Sequence, residues 1–246
     1  MDTNVIYNED CLEGMKRIPD NSIDLVVTDP PYRFENKGGG FYAKNNSTKR
    51  KYLDSLRQNN CTEFNPEPML KILKNKLKKF YGYFFCNKSL INDYLNYAIK
   101  NNYKYDLLVM AKSNPIPAYS NHHLSDLEYI VMIREEGTYF SNHKNIDDYR
   151  KWYKTSCKKR KHPSQKDIEI IEQYIKVSSQ RGDIILDPFI GSGTTAVACL
   201  KNNRRFIGFE LEEKYYNIAL KRIGKLDKKY YEQLPEEEKP NQTQLF

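Results

Sequence analysis

The chain has 246 residues, 39% of them hydrophobic and 29% charged, and its 40 Lys and Arg against 32 Asp and Glu give a formal charge of +8. That length buries a full core as one α/β domain, and the composition excludes a disordered chain. No apolar run approaches the roughly 20 residues that span a membrane, so a cytoplasmic protein is expected, and the basic excess suits a polyanionic partner.

In chain order, short β-rich runs at 5–7, 23–28, 81–86, 107–110, 129–133, 184–186 and 206–209 predict strands. Apolar residues at helical spacing over 11–18, 69–79, 90–100, 166–178, 194–201 and 214–223 predict the helices between them. The alternation specifies one domain over 1–223, with a mostly parallel seven-stranded sheet and helices on both faces. Three stretches interrupt it. Residues 33–61 are rich in Gly, Asn and Lys, 113–126 hold two prolines with His122 and His123, and 137–161 are basic and aromatic. Function concentrates in such loops. Residues 224–246 read as a charged, mobile tail. Cys11, Cys61, Cys86, Cys157 and Cys199 are scattered without a Cys-x-x-Cys pair, which predicts neither a disulfide framework nor a metal site.

Two of the predicted strands end in chemistry. The run 23–28 leads into Asp29-Pro30-Pro31-Tyr32, where two prolines stiffen a turn that would otherwise wander. Such a turn takes both protons of an amino group, one on the Asp29 carboxylate and one on the Pro30 carbonyl, and Tyr32 offers a ring for stacking. The run 184–186 leads into Asp187-Pro188-Phe189-Ile190-Gly191-Ser192-Gly193-Thr194 and a helix of small residues. There the glycines let backbone approach a ligand, and Ser192 or Thr194 is expected to cap the helix. The next strand ends in Glu210, about 20 residues on, where an acid grips ribose hydroxyls. Ala196 in place of the third glycine, together with Asp187-Pro188-Phe189, sets this loop apart from a dinucleotide fingerprint.

Asp29-Pro30-Pro31-Tyr32 resembles the catalytic motif of the DNA amino-methyltransferases, and the stretch from Asp187 to Gly193 resembles their cofactor loop. The order, catalytic motif first, is that of the family's circularly permuted beta class. Asn8-Glu9-Asp10-Cys11 is similar to the element that contacts the cofactor adenine, and His162-Pro163-Ser164-Gln165-Lys166 to the family's His-Pro-Thr-Gln-Lys element. The likeness departs from the family at Asp167, which stands in place of a proline, and at Met110-Ala111-Lys112, which lacks a tryptophan.

The resemblance implies a Rossmann-like fold binding S-adenosyl-L-methionine through Asp10, Cys11, Asp29, Lys166, Asp187, Pro188, Phe189, Gly191, Ser192, Gly193, Thr194, Glu210 and Leu211. It implies methyl transfer to the exocyclic amine of a base flipped out of double-stranded DNA, with Asp29, Pro30, Pro31 and Tyr32 catalytic, Phe34 or Tyr42 assisting, and no metal or cysteine nucleophile. An Asp at the head of the motif favours adenine N6 over cytosine N4; RNA methylation and a non-catalytic DNA-binding role are the other readings. A glutamine-amide methyltransferase would have Asn at position 29. Cations interleaved with aromatics mark Arg150, Lys151, Trp152, Lys158, Lys159, Arg160 and Lys161 for DNA contact, with Lys37 and Lys44 beside Gly38-Gly39-Gly40 as a second contact. Homodimers are common in the family, and the end Gln242-Thr243-Gln244-Leu245-Phe246 resembles peptides that dock sliding clamps.

Overall fold

The computed structural model describes residues 1–32, 64–113, 123–124, 126–141, 150–155 and 167–233, with side chains through Gly224. Its elements are β1 (Val5–Tyr7), α1 (Cys11–Lys16), β2 (Leu25–Thr28), α2 (Glu67–Lys76), β3 (Tyr81–Cys86), α3 (Ile91–Lys100), β4 (Lys104–Lys112), β5 (Leu127–Arg134), β6 (Trp152–Thr155), α4 (Ile168–Ser178), β7 (Ile184–Asp187), α5 (Thr194–Lys201), β8 (Arg205–Phe209) and α6 (Glu213–Gln233). The strands form one sheet in the order β1-β8-β7-β2-β3-β5-β4-β6. Five neighbours, β1, β8, β7, β2 and β3, run parallel; β5 is antiparallel to β3 and β4, and β6 is parallel to β4.

Helices cover both faces, as a parallel sheet requires. β3 is buried along its whole length and shows the alternation directly. Tyr81, Tyr83 and Phe85 face one core with Tyr174, Ile175, Ala196 and Ala219, whereas Phe84 and Cys86 face the other with Met15, Leu70, Leu73 and Tyr94. Thus α4, α5 and α6 lie on one side and α1, α2 and α3 on the other. Among the described residues no helix is long and apolar enough to cross a membrane.

The sheet has eight described strands where seven were expected. The eighth, β6, lies inside the basic stretch 137–161, and its four residues gain strand geometry by pairing with Val109 through Lys112 of β4. Its own alternation is too short to register as a pattern. Past 223, α6 continues to Gln233, inside the stretch expected as a charged tail. Gly224 weakens a helix without ending it, whereas Pro235 disfavours helical geometry at Leu234. Residues 234–246 lie outside the described residues.

Candidate active site

In an open parallel sheet the ligand crevice lies outside the carboxyl ends of the strands, where neighbouring connections leave in opposite directions. Here β7 connects through α5 to β8 on one side, and β2 connects to β3 on the other, so the switch falls between β7 and β2. Their ends carry the Asp187 loop and the Asp29 turn. The same edge receives the end of β1, with Asp10 and Cys11, and the end of β8, with Glu210 and Leu211. Four segments far apart in the chain therefore line one edge.

One side-chain contact ties the two motifs together. The Thr28 hydroxyl, the last of β2, donates to Asp187 Oδ1 at 2.7 Å, and the Phe189 amide donates to the same oxygen at 3.1 Å. Asp187 is buried. Burial pushes its carboxyl up to about 7, against the pull of hydrogen bonds from Thr195, Thr28 and the Phe189 amide, and the nearby Asp29 charge adds to the rise. Pro30 is buried, and Asp29, Pro31 and Tyr32 are half-buried. The Tyr32 phenol is held well above its ordinary range by burial, by the charges of Asp29 and Glu128, and by its hydrogen bond to Asp29. It stays neutral.

Gly191 and Gly193 both take positive φ, 54° and 81°, so the loop needs residues without a side-chain penalty there. A Cβ on Gly193 would also stand 3.0 Å from Ala219 Cβ of α6. We expect Gly193→Ala to lower unfolding free energy by about 1–3 kcal/mol and to weaken cofactor binding, both measurable by denaturant titration with and without ligand. A wild-type midpoint would show that neither the turn nor the α6 contact constrains this position. Neither Ser192 nor Thr194 caps α5, contrary to expectation. Gly193 itself is the N-cap and α5 starts without a side-chain cap, while both hydroxyls accept from Arg222 of α6.

The remaining predicted cofactor residues divide by environment. Asp10 caps α1, its Oδ1 accepting from the Leu12 and Glu13 amides at 2.8 and 3.2 Å. Cys11 is buried, with its thiol pushed up to about 12 by burial and by Asp10. Glu210 accepts from the Glu212 amide at 2.8 Å and from the Gly191 amide, and burial raises its carboxyl. Leu211 is 66% exposed beside it. Pro188 is buried, and Phe189 packs edge-on against Phe64 at 5.5 Å. An uncapped helix start, two loop glycines that admit close approach and an acid at the neighbouring strand end fit a ligand with a carboxylate and a ribose.

Sequence reasoning missed Arg222 and Glu128, and it named Lys112 only within the stretch Met110-Ala111-Lys112. Lys112 and Glu128 form a 2.8 Å ion pair on the antiparallel strands β4 and β5, at the site edge, and Glu128 acts on Tyr32. No motif spacing marks Glu128, which the pairing of β4 with β5 brings to Lys112. Of the basic run expected to contact DNA, Arg150, Lys151 and Trp152 are exposed at the start of the edge strand β6. The register of β6 sets Trp152 beside Val109, which lies across Tyr129 of β5 from Cys86 at the end of β3, and sets Thr155 beside Lys112, so the strand runs at and beyond the level of the carboxyl ends of the parallel strands. Lys151 is ion-paired with Asp106, and Arg150 lies over the Trp152 ring at 5.5 Å. The predicted Lys37, Lys44, Lys158, Lys159, Arg160, Lys161 and Lys166 lie outside the described residues, as do Phe34 and Tyr42.

Residues 23–221 match the family model described as DNA methylase, of the N6/N4 type. The Type II methyltransferase M2.DpnII of Streptococcus pneumoniae is 29% identical over 89% of this chain and 89% of its own. M2.MboI of Moraxella bovis is 29% identical over 90% of this chain and 88% of its own. Among solved structures, the M1.HpyAVI-SAM complex superposes with a TM-score of 0.59 at 27% identity, covering 88% of this chain and 98% of that one. The PvuII cytosine-N4-specific DNA methyltransferase shares the fold at a TM-score of 0.64 and 16% identity, covering 94% and 93% of the two chains. The matched region contains both strand-end motifs and the switch point between them, and this chain belongs to the N6/N4 DNA methylase family.

Proposed function

We propose that this enzyme transfers the methyl group of S-adenosyl-L-methionine to the exocyclic N6 amine of an adenine flipped out of double-stranded DNA. The observation that carries the reading is the meeting of the Asp29 turn with the glycine loop at one switch point, joined by the Thr28–Asp187 hydrogen bond. S-adenosyl-L-methionine supplies an electrophilic methyl on a sulfonium. The chain's residues supply placement and polarity. An aromatic amine is a weak nucleophile because its lone pair is delocalised into the ring. Asp29 and the Pro30 carbonyl accept hydrogen bonds from its two N–H groups and draw the nitrogen toward tetrahedral geometry, the Asp29 carboxylate takes the one proton released as the N–CH3 bond forms and the S–CH3 bond breaks, and the Tyr32 ring replaces stacking lost on flipping. The two prolines hold these acceptors in place.

Asp at position 29 favours adenine. The test is transfer of labelled methyl to mixed-sequence DNA with nucleoside analysis of the product. Methylated adenosine is expected; methylated cytidine would move the target while keeping the chemistry, and product on RNA alone would overturn the DNA substrate.

DNA contact is assigned to Arg150, Lys151, Trp152, Lys158, Lys159, Arg160 and Lys161, with the larger electrostatic share on the last four, because Lys151 is already ion-paired with Asp106. Neutralising the four should reduce the slope of log affinity against log salt by about 3. Neutralising Arg150 and Lys151 should change it by less than about 1, because Lys151 already pairs with Asp106. The reverse ranking, measured by fluorescence anisotropy across a salt series, would place the interface elsewhere.

A further inference from the structure

Among the described residues, Arg222 hydrogen-bonds only to the cofactor loop. It lies one turn from Ala219 on the face of α6 that packs against Gly193. Its Nη1 donates to the Ser192 carbonyl at 2.5 Å, the Ser192 hydroxyl at 2.9 Å and the Thr194 hydroxyl at 3.3 Å. The residue is half-buried, and burial lowers its pKa with no neighbouring charge raising it. Keeping a guanidinium there is costly. An aliphatic side chain of similar length would fill the space against the loop, so packing alone does not account for the charge.

The hydrogen-bond inventory shows what the charge does. A guanidinium only donates, so a hydroxyl that meets it must accept, and that hydroxyl's own hydrogen must go to an acceptor elsewhere. Ser192 and Thr194 flank Gly193, the uncapped start of α5. With Arg222 behind them, both hydroxyls are set as donors toward whatever lies on the loop's other side, beside the first amides of the helix. A set made only of donors recognises an anion.

We propose that Arg222 is a positioning residue that sets the hydrogen-bond polarity of Ser192 and Thr194, so that the loop reads the α-carboxylate of the methyl donor. This rests on the cofactor reading above. Arg222 acts through the two hydroxyls that accept from it.

The experiment compares the full chain with Arg222→Met and Arg222→Lys by calorimetric titration of two ligands: S-adenosyl-L-methionine, and its decarboxylated analogue, which keeps adenosine and sulfonium but lacks the anion. Arg222→Met should weaken the complete ligand about tenfold, the scale of one lost charge-assisted hydrogen bond. The decarboxylated analogue should bind within about twofold of wild type. Arg222→Lys, which keeps a donor but not the fork, should fall between. Equal weakening of both ligands would show that Arg222 only scaffolds the loop and would overturn the proposal, as would unchanged affinities. If thermal melting shows Arg222→Met to be unfolded, the same comparison on Arg222→Lys decides. A wild-type chain that binds neither ligand would overturn the cofactor reading and this inference with it.

Discussion

Asp29→Ala should lower the single-turnover rate of methyl transfer by about a thousandfold while leaving the dissociation constant for S-adenosyl-L-methionine within about threefold. The asymmetry follows from where Asp29 sits. It belongs to the turn after β2, on the acceptor side of the switch point, whereas the loop glycines and Glu210 belong to β7 and β8. Removing its carboxylate takes away the proton acceptor that matters as the amine attacks, an interaction stronger in the transition state than in the ground state. Asp29→Asn keeps an acceptor oxygen without the charge and should lose less. Rapid-quench measurement with saturating donor separates chemistry from binding. A mutant retaining more than about a tenth of the rate would assign proton acceptance to another group.

Asp187→Asn should stabilise the ligand-free protein at pH 8 by about 2–4 kcal/mol and leave it nearly unchanged at pH 4. The folded carboxyl titrates near about 7 against an ordinary value of 3.8. Between those values the folded state holds a proton that the unfolded state has lost, so wild-type stability falls as pH rises through that window and levels off above it. Asn resembles the protonated acid. It still accepts from Thr28 and from the Phe189 amide, and so it removes the decline. Urea denaturation at intervals from pH 4 to pH 8 reads this directly, and parallel curves for the two proteins would refute a raised Asp187. The gain should come with weaker methyl transfer, because a carboxylate kept at a cost in stability beside the reacting groups is typical of a functional site.

Reading the residues in order identifies most of this protein, because its chemistry is local. The turn Asp29-Pro30-Pro31-Tyr32, the loop from Asp187 to Gly193 and Glu210 each require particular residue types at fixed short spacings, and such spacings are visible without any fold. The mostly parallel sheet and the helices on both faces also follow, since apolar runs separated by amphipathic segments specify them. What depends on partners distant in the chain was hidden. β6 exists because β4 offers its edge, and α6 outlasts Gly224 because no breaker precedes Pro235. Strand register set part of the basic run, Trp152 to Thr155, on the sheet's edge beside β4. The same kind of register placed Lys112 with Glu128, and the packing of α6 placed Arg222 under Ser192 and Thr194. Sequence alone singled out the groups proposed to do the chemistry; the tertiary structure decided which groups hold them. A reacting group is marked by its own type and spacing, whereas a supporting group is marked only by what the fold brings beside it.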